Sequence, residues 1–311
     1  MNRFIYCSFI FLIFFASCAR IESPSIPGNL TATAVSDSQI DLIWTASTDN
    51  TGVKNYAIFR NSTLIATTTA ISYNDTGLAT STLYAYTVLA CDATRNCSAQ
   101  STAASATTFD TAPPAVPTGL TATAVSGSQI DLTWAASTDN IGISYYQLFR
   151  DGSPVATTTA ISYNDTGLAP ATAYTYTVAA CDAAGNCSGQ SNSASGTTPD
   201  TTLPAVPTGL TATAISESQI NLAWTASTDN VGVTRYHLFR GSTQIATTTT
   251  TLYNNVGLTP STAYTYTVSA CDAAGNCSGQ SNSASGTTPD TTLPAVPTGL
   301  TATAISESQI N

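Results

Sequence analysis

Few residue types in this chain could support acid–base or nucleophilic catalysis. Its only histidine is His237, and the matching positions in two similar segments hold Ala57 and Gln147. A general base must lie within hydrogen-bond reach of a nucleophile, and a metal centre needs several ligands, so a lone histidine supplies neither. Because His237 alternates with Tyr236 and Leu238, it is predicted to face solvent from a strand.

Several carboxylates are also not kept at matching positions of the three segments, as a repeated catalytic site would require. Acids of the first two segments are amides in the third: Asp41 and Asp131 correspond to Asn221, and Asp75 and Asp165 correspond to Asn255. No glycine-rich phosphate loop leads from a strand into a helix, because no segment has helical periodicity. The residues present are therefore predicted to hold no catalytic site and no cofactor.

Side-chain oxygens clustered on one loop of each segment form the first binding candidate. Calcium takes about six to eight oxygen ligands, whereas each loop offers two such side chains. Asp and Asn also stabilise turns through their own backbone. A turn is the favoured interpretation, and calcium the alternative, at Asp49, Asn50, Asp139, Asn140, Asp229 and Asn230.

An aromatic residue followed by arginine forms the second binding candidate. Where Tyr56 and Ile58 point into the core, Phe59 points to the opposite face of its strand. Coverage of the ring by a neighbouring strand is the favoured interpretation, and the alternative is an exposed ring that stacks, beside its guanidinium, on a sugar or a partner loop. These candidate ligand contacts are Phe59, Arg60, Phe149, Arg150, Phe239 and Arg240.

Six of the eight cysteines form pairs that each bracket five residues. A bracket of this length can close a hairpin, and facing residues of a hairpin lie close to disulfide geometry. Zinc is the alternative, but two thiols without a histidine partner fall short of four ligands. The predicted disulfides are Cys91-Cys97, Cys181-Cys187 and Cys271-Cys277.

The N-terminus carries a long apolar run, almost unbroken from Phe4 to Phe15. As a helix it would span about 18 Å, short of the hydrocarbon core of about 30 Å, so a signal peptide is predicted rather than a membrane span. The run ends in Phe15-Ala16-Ser17-Cys18, which resembles the lipobox of bacterial lipoproteins, although that family usually has leucine in place of Phe15.

The lipobox resemblance implies cleavage before Cys18 and lipidation of its thiol, which would make the membrane a partner. Ala19, rather than aspartate, follows Cys18, and by the same resemblance this favours the outer membrane. Export with a lipid anchor in the cell envelope is therefore the expected localisation. Ordinary secretion with cleavage near residues 16–19 is the alternative.

Internal repetition determines the predicted architecture. Trp44, Trp134 and Trp224 are spaced by 90 residues, and residues 181–221 are identical to residues 271–311. Within each repeat, apolar and polar residues alternate with a period of two, and turn-forming clusters separate the alternating runs. Short strands at this spacing predict an all-β fold built from two-sheet sandwiches.

Each repeat resembles a bacterial fibronectin type III domain. Pro27 and Leu30 match the first strand of that family, and Trp44 matches its buried tryptophan on the second strand. The resemblance implies tandem immunoglobulin-like sandwiches joined by short proline-containing linkers. It also implies that one tyrosine per repeat forms a tyrosine corner. The implied structural core residues are Trp44, Trp134, Trp224, Tyr84, Tyr174 and Tyr264.

The repeat pattern predicts these boundaries: a signal peptide at 1–17, a lipid-anchored tether at 18–25, repeat 1 at 26–108, repeat 2 at 116–198, repeat 3 at 206–288 and an incomplete fourth repeat at 297–311.

Charge argues against one class of function, and the resemblance together with the Phe-Arg pairs leaves three others open. The formal net charge is −10 and the chain has a single lysine, so no basic surface for nucleic acid is expected. The leading expectation is a non-catalytic cell-surface spacer that adheres to proteins or polysaccharides. The alternatives are the N-terminal spacer region of a secreted polysaccharide-degrading enzyme, whose catalytic part would follow Asn311, and a carbohydrate-binding array.

Overall fold

The computed structural model describes residues 22–306 and 309–310, and these residues form strands, turns and bends without a helix. The predicted signal peptide and Cys18 lie outside the described residues. Among the residues described, no helix is long and apolar enough to cross a membrane. The all-β prediction is therefore confirmed for the part of the chain that can be described.

The three repeats contain seven strands each. Those of repeat 1 are β1 (Gly28–Ala34), β2 (Gln39–Thr45), β3 (Val53–Arg60), β4 (Thr63–Thr68), β5 (Ser72–Thr76), β6 (Leu83–Asp92) and β7 (Ala104–Thr107). Those of repeat 2 are β8 (Thr121–Ser126), β9 (Gln129–Thr133), β10 (Tyr145–Arg150), β11 (Ser153–Thr158), β12 (Ser162–Thr166), β13 (Ala173–Cys181) and β14 (Ala194–Thr197). Those of repeat 3 are β15 (Thr208–Ser216), β16 (Gln219–Thr225), β17 (Val233–Arg240), β18 (Thr243–Thr248), β19 (Leu252–Val256), β20 (Ala263–Asp272) and β21 (Ala284–Thr287).

Each repeat divides its strands between two antiparallel sheets. In repeat 1 the smaller sheet has the order β1-β2-β5 and the larger has the order β4-β3-β6-β7. The same orders recur in repeats 2 and 3. The chain therefore changes sheet after β2, after β4 and after β5, which is the topology of an immunoglobulin-like sandwich.

The core of repeat 1 forms between the two sheets. Ile40, Leu42 and Trp44 alternate along β2 and are buried, and they pack against Tyr56 and Ile58 of β3. The Trp44 ring meets the Tyr56 ring edge-on at 5.4 Å between centroids. Complete burial of a large apolar side chain stabilises a fold by about 1.5–3 kcal/mol. Repeat 3 repeats this core around Trp224 and Tyr236.

Two tyrosines of strand β6 have different environments. Tyr86 is completely buried, whereas Tyr84 is half-buried and packs against the edge of the core. The Tyr84 hydroxyl accepts a hydrogen bond from the Ala79 backbone N–H at 3.0 Å. Tyr174 and Tyr264 make the equivalent contacts with Ala169 and Thr259. In each repeat this hydrogen bond joins the segment that precedes the strand (β6 in repeat 1) to the tyrosine on that strand.

The disulfide of repeat 1 closes the turn after β6. Cys91 and Cys97 are bonded, as are the predicted pairs of repeats 2 and 3. Beyond Cys97 the chain returns along β6 without forming a regular strand. The Ser98 and Ser101 hydroxyls accept hydrogen bonds from the Ala90 and Val88 N–H groups, at 3.0 and 3.1 Å. Side chains therefore satisfy β6 donors that a regular strand would have paired.

The segment after repeat 3 has little of the sandwich structure. It contains two short paired strands, β22 (Ala304–Ser306) and β23 (Gln309–Ile310). Leu293 is 89% and Leu300 is 96% exposed. A strand pair of this size cannot bury these leucines by itself.

Removal of residues 297–311 is expected to raise solubility and leave the stability of repeat 3 unchanged. Exposed apolar side chains and unpaired strand edges promote association between chains. Sedimentation velocity measures association, and pulsed hydrogen exchange at increasing urea, read on peptides that contain Trp224, measures the stability of repeat 3. A lower urea midpoint for repeat 3 after the deletion would contradict the boundary drawn at residue 288.

Candidate functional site

The arginines of the Phe-Arg pairs are engaged inside their own repeats. Arg60 Nη1 lies 3.1 Å from both carboxylate oxygens of Asp75, which belongs to the other sheet. The guanidinium also lies over the Tyr84 ring, 5.4 Å from its centroid. Arg150 makes the same contacts with Asp165 and Tyr174. Arg60 and Arg150 therefore link the two sheets of their repeats.

Neighbouring residues of a strand point to opposite faces, and this separates each phenylalanine from its arginine. Arg60 shares a face with Tyr56 and Ile58, whereas Phe59 lies on the other face, where β4 and β6 flank it. Phe59, Phe149 and Phe239 are half-buried. Of each pair, the phenylalanine is thus the residue left to meet an external ligand.

A buried tyrosine completes the Arg-Asp contact. The Tyr86 hydroxyl donates to Asp75 Oδ2 at 2.8 Å, and Asp75 is itself buried. Burial, followed by the hydrogen bond to Asp75 and the charge of that carboxylate, raises the pKa of Tyr86. In repeat 3, Asn255 replaces the acid and its amide donates to the Tyr266 hydroxyl at 2.7 Å. An amide can therefore take the place of the acid because it preserves the bond to tyrosine.

In the Asp-Asn loops one aspartate oxygen accepts hydrogen bonds from the backbone of the turn. Asp139 Oδ2 accepts hydrogen bonds from the backbone N–H groups of Ile141 and Gly142, at 2.9 and 3.1 Å. Asp229 Oδ2 does the same for Val231 and Gly232. Gly142 has a φ of 98°, a backbone conformation that favours glycine. The second oxygen of each aspartate takes no part in the turn.

A second acidic loop, which sequence reasoning did not single out, lies beside each disulfide. Asp182 is buried and accepts hydrogen bonds from the Asn186 backbone N–H at 2.9 Å and the Asn186 side-chain amide at 2.8 Å. Burial raises the pKa of Asp182, but the bonds from Asn186 and from the backbone of Gly185 and Ala184 outweigh it and lower the pKa. Asp92 and Asp272 have lowered pKa values for the same kind of reason.

His237 lies beside the disulfide of repeat 3 and is half-buried, whereas the sequence predicted a residue facing solvent. Its Nδ1 atom is 3.6 Å from Cys271 Sγ. Strand alternation places His237 on the outer face of its sheet. The hairpin that the disulfide closes partly covers this face. His237, Cys271 and Cys277 lie close enough for metal binding, but the sulfurs are bonded to each other.

Comparisons with known proteins agree with the repeat architecture. The model of the fibronectin type III domain matches residues 115–197 and 205–287. Exoglucanase B of Cellulomonas fimi is 45% identical over 86% of this chain, and exoglucanase A of the same organism is 46% identical over 86%. Chitinase A1 of Niallia circulans is 41% identical over 65% of the chain.

The chain spans only part of each relative. The matched regions cover 26% of exoglucanase B, 33% of exoglucanase A and 30% of chitinase A1. The similarity therefore concerns the repeated β-sandwich region, and not the whole length of those proteins.

Replacing Arg150 by methionine is expected to destabilise repeat 2 by roughly 1–3 kcal/mol, because it leaves the Asp165 carboxylate buried without its cation. Arg240→Met in repeat 3 is the matched control and should cost less, because Asn255 carries no charge. Pulsed hydrogen exchange at increasing urea, read by mass spectrometry on peptides that contain Trp134 or Trp224, measures both. Equal losses in the two repeats would contradict a role for charge pairing.

Asp92 is expected to give repeat 1 a stability that depends on pH. Its pKa is lower in the folded state than in the unfolded state, so its contribution is present above the unfolded value of about 3.9 and is lost as the pH falls through the folded value. The Asp92→Asn variant should lower the urea midpoint of repeat 1 at pH 7, and the difference should shrink as the pH falls below the unfolded value. A constant difference across this range would contradict the assignment.

Proposed function

Because this chain belongs to the fibronectin type III domain family, we propose that its repeats are the spacer region of an exported polysaccharide-degrading protein. The domains themselves are non-catalytic. The observation that carries the proposal is the similarity, at 41–46% identity, to regions of two exoglucanases and a chitinase. This favours the enzyme-spacer alternative over the adhesive surface protein that the sequence first suggested.

The internal structure of the repeats supports a spacer. Arg60 and Arg150 are directed inward, where each forms an ion pair with a buried acid of its own repeat. Each repeat has its own disulfide and its own tryptophan. Proline-containing linkers of the kind found at 110–117 and 200–207 act as semi-rigid connections. Repeats of this kind separate functional regions while remaining stable outside the cell.

Export and anchoring are the second part of the proposal. Disulfides persist in oxidising compartments, and the N-terminal sequence has the pattern of a signal peptide ending in a lipobox-like tetrapeptide. The protein would then be attached to the cell envelope through a lipid on Cys18. Metabolic labelling with a fatty acid, compared between the natural chain and Cys18→Ala, separates this arrangement from ordinary secretion.

A spacer is expected not to bind the polymer that its enzyme degrades. The chain should elute from insoluble cellulose and from chitin together with an inert protein, and the Phe149→Ala/Phe239→Ala variant should behave identically. The reading frame past Asn311 should encode a domain with paired catalytic carboxylates. Retention on either polymer that this variant loses would instead establish a carbohydrate-binding array. A run of further repeats followed by a stop codon would favour the adhesive surface protein.

A further inference from the structure

Three aspartates meet at one end of repeat 3, and three more meet at the same end of repeat 2. The first cluster consists of Asp200, Asp229 and Asp272, and one carboxylate oxygen from each lies within 4.8 Å of the others. The second consists of Asp110, Asp139 and Asp182, with the same spacing. In each cluster the chain supplies one acid from the linker, one from the Asp-Asn loop and one from the turn beside the disulfide.

Hydrogen bonds hold the outer atoms of these acids in place. Asp200 Oδ1 accepts from the Asn230 amide at 3.1 Å, and the Asp200 carbonyl accepts from the Asn276 amide at 3.2 Å. Asn276 also donates to Asp272 Oδ2 at 2.8 Å. Two asparagines therefore fix the linker acid against both loops.

The inner oxygens of the two linker acids and of Asp229 are buried and receive no hydrogen bond, whereas both oxygens of Asp272 accept hydrogen bonds from its own turn. Asp200 Oδ2 and Asp229 Oδ1 each expose less than 1 Å² and have no donor among the described residues, and Asp110 Oδ2 in the other cluster has none either. A buried anionic oxygen without a donor is strongly unfavourable, and a second carboxylate beside it makes it more so. The geometry thus brings together carboxylate oxygens whose burial a bound cation would stabilise.

We propose that each cluster binds one calcium ion, held by one carboxylate oxygen from the linker acid and one from each of the two loop acids. Each cluster offers oxygen ligands alone, which suits a hard cation and disfavours zinc or copper. Calcium accepts irregular coordination and fills its remaining positions with carbonyl groups or water, whereas magnesium demands a near-octahedral set. Extracellular modules bind calcium with a Kd of about 0.1–1 mM.

Repeat 1 provides an internal contrast. It retains the two loop acids, Asp49 and Asp92, and Asp49 Oδ1 is also buried without a donor. The contrast is the missing linker acid, since the residue 90 positions before Asp110 is Arg20. A basic residue cannot supply the third carboxylate. The proposal therefore predicts two ions per chain, one for each three-acid cluster, although all three repeats share the same loops. Binding of the ion also holds the linker against the repeat that follows it.

The test is calcium titration of the chain from residue 19 onward, by isothermal calorimetry, with magnesium at equal ionic strength as the comparison. Two saturable calcium sites and a higher unfolding temperature in calcium are expected. Asp200→Asn should leave one site, and Asp110→Asn/Asp200→Asn should leave none, since each weakens its cluster about tenfold or more. Both acids lie in linkers, and circular dichroism verifies that the sandwiches remain folded.

Asp290→Asn is the matched control. Asp290 occupies the same position in the linker after repeat 3, but it is exposed and lies outside both clusters. This variant should retain two sites. Three sites in the natural chain, an unchanged stoichiometry in the double variant, equal binding of magnesium, or no saturable calcium heat up to millimolar concentration would each overturn the proposal.

Discussion

Each repeat depends on the burial of one tryptophan between two sheets. Trp44 is 2% exposed and contacts residues from both sheets, so neither sheet can shift without exposing it. A domain of fewer than about 100 residues buries a limited apolar area and has a small margin of stability. The other stabilising features of the repeat act where this core ends. The Arg60-Asp75 pair joins the sheets at one edge, the tyrosine corner fixes the approach to β6, and the disulfide closes the turn that follows it.

The core and its strands were predictable because period-two alternation and a repeat of 90 residues leave few alternatives. The disulfide pairs were predictable because a short turn readily brings together two cysteines that bracket five residues. The partner of Arg60 was not predictable. Asp75 lies on a strand of the other sheet, and no local pattern indicates which residues meet across a sandwich. The environment of His237 was missed because its cover comes from the distant hairpin that contains Cys271.

The acidic clusters show the same limit more clearly. The sequence singled out Asp139 and Asn140 as a loop with too few oxygens for a metal, and within that loop the count was correct. The structure adds Asp110 from the preceding linker and Asp182 from a turn more than forty residues further along the chain. Such a site has no short motif. Its one indication in the sequence is that Asp110 and Asp200 stand at matching positions of successive linkers, each followed by threonine.

Differences between the repeats distinguish acids that only build the fold from acids with a further role. Asp75 and Asp165 can become Asn255 because an amide still bonds to the buried tyrosine. Every repeat has an aspartate beside its disulfide: Asp92, Asp182 and Asp272. Each accepts hydrogen bonds from the turn that follows it, and this need for an acceptor explains the residue. That explanation does not extend to Asp110 and Asp200, whose inner oxygens accept nothing from the protein. A purely structural role would be served by asparagine at those positions. The proposed cation would explain a carboxylate at these two positions, where the linker meets the loops.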